Sequence, residues 1–166
     1  MRLKFDDVVI CPASENEAYA ILDVYRRCED FLALGPDPHA SMRMVLDDLA
    51  HSAEQGGMFC GIYRSGHMVG VVDFVPLGFD GKEDAACLML LMIAGEERGR
   101  GLGRKVVEAV EAEILKNEEI HEICSGVQAN NPDGIGFWTR MGYDIVGGPR
   151  VMEDTTVCYD LMKTVR

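Results

Sequence analysis

Residues 88–115 read LMLLMIAGEERGRGLGRKVVEAVEAEIL, and the rest of the chain is organised around them. The opening LMLLMIAG is a short continuous apolar run, the pattern of a buried strand, and KVVEAVEAEIL has the 3.6-residue period of an amphipathic helix. Between them the glycines mark a turn. Gly99, Gly101 and Gly103 remove Cβ atoms where the helix begins, so unpaired backbone N–H groups can approach a ligand closely. The helix dipole favours negative charge at that end, which makes phosphate the expected guest. Arg98, Arg100, Arg104 and Lys105 crowd the same turn in a chain whose net charge, 16 minus 28, is −12. A basic cluster in an acidic protein points to a polyanion at this one place.

Two familiar phosphate loops do not fit. A P-loop ends in Lys-Ser/Thr, whereas Leu102-Gly103-Arg104-Lys105 carries no hydroxyl at the magnesium position. A dinucleotide fingerprint counted from Gly99 puts Arg104 where its third glycine belongs. What the residues do form is Arg-x-x-Gly-x-Gly, as Arg98-Gly99-Arg100-Gly101-Leu102-Gly103. This resembles the pyrophosphate-binding motif of the GNAT superfamily, the acyl-CoA-dependent N-acetyltransferases.

With 166 residues the chain is long enough for one domain with a sizeable core, and residues 1–166 are expected to form it. No apolar run reaches the roughly 18 to 20 residues of a membrane span, and MRLKFDDVVI alternates instead of forming a signal-peptide core. A cytoplasmic protein is expected. The six cysteines (11, 28, 60, 87, 124 and 158) are spread without a C-x-x-C, which fits reduced thiols and no metal site. His39, His51, His67 and His121 are equally scattered, and each reads as a surface or locally bonded residue. The acidic balance argues against nucleic acid as a partner and mildly favours a cationic second substrate such as an amine. A homodimer stays open.

Taken in order, residues 3–11 read as a strand ended by Pro12. Ser14 and Glu17 have capping-box spacing, and Ala18, Ile21, Leu22, Tyr25 and Cys28 form the inward stripe of a helix. Residues 29–38 break the pattern. A second helix places Met42, Val45, Leu46, Leu49 and Ala53 inward. Residues 58–64 and 67–76 flank Ser65-Gly66, a two-residue hairpin connection. Within the second of these strands Asp73 interrupts an apolar run. Such a carboxylate is paired, hydrogen-bonded or open to a cleft, unless it stands at a strand edge in water. After a polar loop come the strand at 86–93 and the central helix, which buries Val106, Val107, Val110 and Ile114. Another strand spans 120–129. Asn131 caps a short helix with Pro132 in its first turn and Ile135, Phe137, Trp138 and Met141 along it, and Gly142 ends it. Residues 143–146 and 155–162 are the last strands, joined through Gly147-Gly148-Pro149. The fold class is α/β of the mixed α+β kind, strands in one sheet with helices on its faces.

That succession is similar to the GNAT fold over nearly the whole chain, which implies a mostly antiparallel sheet splayed at its middle. Asn131-x-x-Gly134-x-x-Phe137-Trp138-x-x-x-Gly142-Tyr143 resembles a second segment of the family, Asn-x-x-Ala-x-x-Phe/Leu-Tyr-x-x-x-Gly-Phe. The resemblance implies acetyl-CoA, or another short acyl-CoA, as co-substrate. The backbone of Leu91, Met92 and Ile93 pairs with the pantetheine arm, and Leu91 N–H faces the thioester oxygen as an oxyanion donor. N–H groups from Arg98 through Gly99, Arg100, Gly101, Leu102 and Gly103 to Arg104 hold the pyrophosphate, and Asn131 contacts the cofactor near the acyl end. Where the family commonly has a tyrosine that protonates the leaving thiolate, this chain has Trp138. Where some members place a glutamate base, it has Cys87. Asp73, or Glu29 and Asp30, are then the candidate bases, and Glu29, Asp30 and Phe31 fall where the acceptor binds by fold analogy.

The expected activity is transfer of an acetyl group to a primary amine, on a small molecule or a peptide, by direct attack. The competing expectation is a non-catalytic acyl-CoA-binding domain, motivated by Trp138 and Cys87. A dinucleotide-dependent enzyme ranks third.

Overall fold

The computed structural model describes residues 1–166. Its eight strands form one sheet in the order β1-β2-β3-β4-β5-β6-β8-β7. These are β1 (Leu3–Phe5), β2 (Val8–Pro12), β3 (Met58–Arg64), β4 (His67–Val75), β5 (Ala85–Ile93), β6 (Glu122–Gln128), β7 (Asp144–Val151) and β8 (Val157–Thr164). Every neighbouring pair is antiparallel except β5 and β6. That pair is parallel because a helical crossover, α4 (Leu102–Ile114), joins its members.

The other helices are α1 (Ala18–Arg26), α2 (Glu29–Leu32), α3 (Met42–Glu54) and α5 (Pro132–Arg140). Helices α1 and α3 pack with Phe59, Met68, Val71 and Met92 on one face of the sheet. Helices α4 and α5 pack with Ile62, Val72, Phe74 and Leu88 on the other. Val71 and Val72 are both fully buried on opposite faces, which is why β4 and β5 read as continuous apolar runs and not as alternating ones. No helix is long and apolar enough to cross a membrane.

Several elements differ from the sequence expectation. Residues 3–11 are two strands folded at Asp6-Asp7, with Asp6 in the left-handed region (φ 47), and Pro12 is the last paired residue of β2. The expected break after Cys28 begins with the single turn of α2. Gly147-Gly148-Pro149 does not join two strands but lies inside β7, where two register shifts absorb it. Proline is admissible there because β7 is the edge of the sheet. The predicted caps are present. Ser14 N–H donates to Glu17 Oε2 at 2.6 Å, and Gly134 N–H donates to Asn131 Oδ1 at 2.9 Å.

Periodicity misassigns part of the inward face of α3. Leu46 and Ala53 are exposed, while Ser52 is 1% exposed. Ser52 Oγ donates to Asp73 Oδ1 at 2.6 Å, and Tyr25 Oη donates to Asp48 Oδ2 at 2.6 Å in the same seam between α1, α3 and β4. Asp73 therefore sits on a central strand with a hydrogen-bond partner, not at an edge in water. Gly57 permits this approach, since a Cβ there would stand 2.6 Å from Ser52 Oγ.

Burial pushes the Asp73 carboxyl above its ordinary range, against the opposing pull of the Ser52 hydrogen bond. Its protonation thus favours the fold, a contribution fully present at low pH and lost as pH rises through the raised value. Ser52→Ala strips the ionised form of its donor. Chemical denaturation at neutral pH is expected to show a loss of about 1–3 kcal/mol, shrinking at acid pH where Asp73 carries a proton.

Candidate active site

Strands β5 and β6 run together for only three residue pairs, from Ala85↔Glu122 to Cys87↔Cys124. Beyond a last link, from Ser125 Oγ to Leu88 O at 2.9 Å, they part. A bulge drives the separation: on the β4 side Phe74 faces Leu88 and Asp73 faces Leu90, so Met89 has no register partner and β5 bends there. The result is a wedge in the middle of the sheet that opens into a cleft of about 1610 Å³.

Alternation along β5 fixes what its main chain offers to this wedge. Ala94 N–H donates to Val69 O at 2.9 Å, so the groups of Ala94, and by the two-residue period those of Met92, point into the ladder with β4. Leu91 and Ile93 then direct their N–H and C=O groups to the open side. Consistent with this, Ile93 O accepts from Arg98 Nε at 2.7 Å and from Cys28 Sγ at 3.4 Å. Of the three residues expected to meet a ligand through their backbone, Leu91 and Ile93 face the wedge. Met92 has its main chain in the ladder and its side chain in the core under α1 and α3.

At the wide end of the wedge lies the glycine turn. The amides of residues 99 to 104 have no hydrogen-bond acceptor within the protein: Arg98 N–H bonds Gly95 O, and Lys105 N–H, bonding Gly101 O, is the next amide used. Gly99 (φ +80) and Gly101 (φ +81) hold left-handed conformations that aim successive N–H groups to one side. The free amides begin one residue later than expected, at Gly99. The basic side chains also behave differently from the sequence expectation, because most are tied back into the protein. Arg98 pairs with Asp30, Arg104 Nε contacts Glu108 Oε1 at 2.7 Å, and Lys105 pairs with Asp6. Arg100 reaches only the neutral carbonyl of Glu96, at 2.9 Å, and keeps its charge uncompensated. The free donors of this turn are therefore mainly backbone amides.

Along the α5 wall, Asn131 lines the cleft, but its Oδ1 is engaged in capping its own helix. Trp138 lines the cleft while packing edge-to-face between Phe137 (5.2 Å, 76°) and Tyr143 (5.0 Å, 73°). Tyr143 cannot stand in for the missing tyrosine of the motif. It is 1% exposed, donates to Glu111 Oε1 at 2.9 Å, and burial raises its hydroxyl far above the usual range.

The opposite wall brings Asp30 and Phe31 into the cleft from α2. Asp30 is committed to Arg98, whose hydrogen bonds hold its carboxyl below the ordinary value. Glu29 does not line the cleft. It pairs with His39 at 3.2 Å and accepts from Ala40 N–H at 3.3 Å, fastening the strap that joins α2 to α3. Asn130 Nδ2 donates to Leu34 O at 3.0 Å and carries that strap across the wedge. Asp73 is likewise outside the cleft lining, behind Ser52. Cys87 and Cys124 stand side by side at the apex, and burial raises both thiols, so they hold their protons.

Other cleft residues were not read from the sequence. His51 projects from the last turn of α3 and Gln55 from the cap that follows it, Phe79, Asp80 and Lys82 from the β4–β5 loop, and Arg150, Met152 and Asp160 from the last hairpin. The i, i+4 spacing of His51 and Gln55 beside the buried stripe was the one available signal. Nothing in the sequence marks the hairpin residues, since only the sheet order places them there.

A family model described as Acetyltransferase (GNAT) family matches residues 18–143, more than half of the chain. No curated protein matches. Among solved structures the chain is similar to an acetyltransferase from Thermus thermophilus, at 21% identity and a TM-score of 0.79, covering 99% of this chain and 100% of that one. It is also similar to a Salmonella typhimurium acetyl transferase that modifies the N-terminal serine of the 50S ribosomal subunit protein L7/L12, at 13% identity and a TM-score of 0.81, covering all of both chains. A third, the paia N-acetyltransferase from Thermoplasma acidophilum in complex with coenzyme A, gives 15% identity and a TM-score of 0.69 over 96% of this chain and 100% of that one. At these identities the solved structures establish the fold, and the family model establishes the kinship: the chain belongs to the acetyltransferase (GNAT) family.

Proposed function

We propose that the cleft moves an acetyl group from acetyl-CoA to a primary amine by direct attack while both substrates are bound. The observation that carries this reading is a split sheet whose exposed strand edge leads straight into six acceptor-free amides. The diphosphate of the cofactor takes the N–H groups of Gly99 to Arg104. The pantetheine arm lies along β5 as an added strand and meets the outward groups of Leu91 and the N–H of Ile93. Asn131 meets the same arm near its acyl end. The coenzyme A bound by the Thermoplasma acidophilum protein supports this choice of co-substrate.

Leu91 N–H is the oxyanion donor. As the amine attacks, negative charge grows on the thioester oxygen, and a fixed donor at that point is worth roughly 3 kcal/mol of barrier. Trp138 walls off the thiol end. Its indole N–H can hydrogen-bond the departing sulfur but cannot give up a proton. A thiol with an ordinary pKa near 8.5 departs as thiolate, so an acid is dispensable. The amine enters between α2, the strap and α3, with Phe31 against it and Asp30 holding Arg98. A small amine or a peptide amine fits this opening, and the ribosomal-protein substrate of the Salmonella typhimurium protein supports the second.

A non-catalytic acyl-CoA-binding domain is the other reading, favoured by Trp138 and by the protonated Cys87 thiol where acid and base often stand. The enzyme is preferred because direct attack draws most of its rate from positioning two reactants, which this wedge provides.

Three outcomes check the proposal. Free thiol released from acetyl-CoA across a panel of primary amines separates the two readings: turnover of any one amine supports the transferase, and binding without turnover supports the domain. Gly101→Glu places bulk and negative charge among the phosphate amides. Calorimetric titration should show acetyl-CoA affinity lower by about 100-fold, near 3 kcal/mol, against roughly 1–2 kcal/mol of lost fold stability from the positive φ. Trp138→Tyr should leave affinity unchanged and raise kcat if protonation of the leaving thiolate limits the rate.

A further inference from the structure

Direct attack needs a neutral amine, whereas the acceptor arrives as an ammonium ion, and the groups expected to take its proton are committed elsewhere. Asp30 is bound to Arg98, Asp160 receives Arg150 through Nε and Nη2 at 2.9–3.1 Å, Glu29 and Asp73 lie outside the cleft, and both apex thiols hold their protons. Of the titratable groups lining the cleft, His51, Asp80, Asp133, Arg140 and Tyr159 have no hydrogen-bond or ion-pair partner; Asp133 and Arg140 belong to α5, and Tyr159 is a phenol packed against the core, which leaves His51 and Asp80. Asp80 is exposed on the β4–β5 loop, at the rim.

His51 is placed differently. It neighbours Ser52, which is bonded to Asp73, and Asp73 is the register partner of Leu90, next to the proposed oxyanion donor. Its imidazole is exposed to the cleft on the wall opposite α5. Two buried carboxyls, Asp48 from α3 and Asp73 from β4, lie within electrostatic reach of the ring without lining the cleft. Tyr25 from α1 holds the first and Ser52 the second, while Gln55 and Phe31 line the same cleft.

On the transferase reading given above, we infer that His51 is the general base, taking the acceptor's proton. The ammonium transfers H⁺ to the imidazole, and the freed lone pair forms a C–N bond to the thioester carbon. The C–S bond breaks as the oxyanion at Leu91 collapses. The second proton on nitrogen passes to the thiolate, and the imidazolium returns its own proton to solvent through the open cleft. The products are amide, thiol and one released proton.

The test compares wild type, His51→Gln and Asp80→Asn, with His51→Asn as a second variant at the same position. Acetyl-CoA affinity comes from calorimetry, and kcat and KM for the best acceptor of an amine panel from thiol release across pH. His51→Gln should bind acetyl-CoA as the wild type does, lose roughly 100-fold or more in kcat, and lose the acid limb of the pH profile. Imidazole added to His51→Ala should restore part of the rate. Wild-type kcat and an unaltered profile in His51→Gln and His51→Asn, or the loss appearing in Asp80→Asn instead, overturns His51 and leaves the transferase reading intact. A wild type that binds acetyl-CoA and acetylates no amine overturns that reading, and this inference with it.

Discussion

Everything in this molecule depends on a parallel strand pair that stops after three residues. Main-chain donors and acceptors in a sheet are normally consumed by the neighbouring strand, and leaving them free in a protein interior is costly. Here the bulge at Met89 turns β5 away from β6, and an edge appears in the middle of the sheet instead of at its border. The edge is protected from promiscuous pairing by its position between α4, α5 and the α2–α3 strap. On the reading proposed above, an extended ligand arm enters as the missing strand, with its reactive end beside Leu91.

The charges of the glycine turn serve the same geometry. Arg98 bonds both Ile93 O and Asp30, so one side chain joins the end of β5 to α2. Glu96 and Glu97 are anchored to Arg27 on α1 and Arg64 on β3, and Lys105 is anchored to Asp6. Exposed or half-buried pairs of this kind each contribute little stability, but together they restrain a turn whose six amides have no protein partner. Donors held in place before the anion arrives lose little freedom on binding it. The acidic balance of the chain is compatible with the proposed phosphate site, because recognition there would rest on oriented backbone dipoles more than on surplus positive charge.

Local chemistry made much of this legible. The strand, glycine turn and helix of residues 88–115, the Asn131 cap, and the Ser65-Gly66 hairpin, whose two residues both take positive φ, are each specified by neighbours in sequence. What escaped depends on distant partners. Periodicity chose Leu46 and Ala53 for the core of α3 because they are apolar, whereas Ser52 is buried by its bond to Asp73, a residue 21 positions away. The hairpin at Asp6-Asp7 and the passage of β7 through Gly147-Gly148-Pro149 follow from pairing registers that composition does not encode. The cleft wall was the least legible part, since His51, Asp80 and Arg150 line one cleft only once the sheet order is known.

Backbone amide resonances followed during titration with acetyl-CoA test the central claim most directly. The account predicts perturbation and slowed exchange concentrated at the amides of residues 99–104 and at Leu91 and Ile93, with Met92 little affected because its groups belong to the β4 ladder. Binding that leaves the 99–104 amides unchanged, or that perturbs Met92 as strongly as its two neighbours, would contradict it.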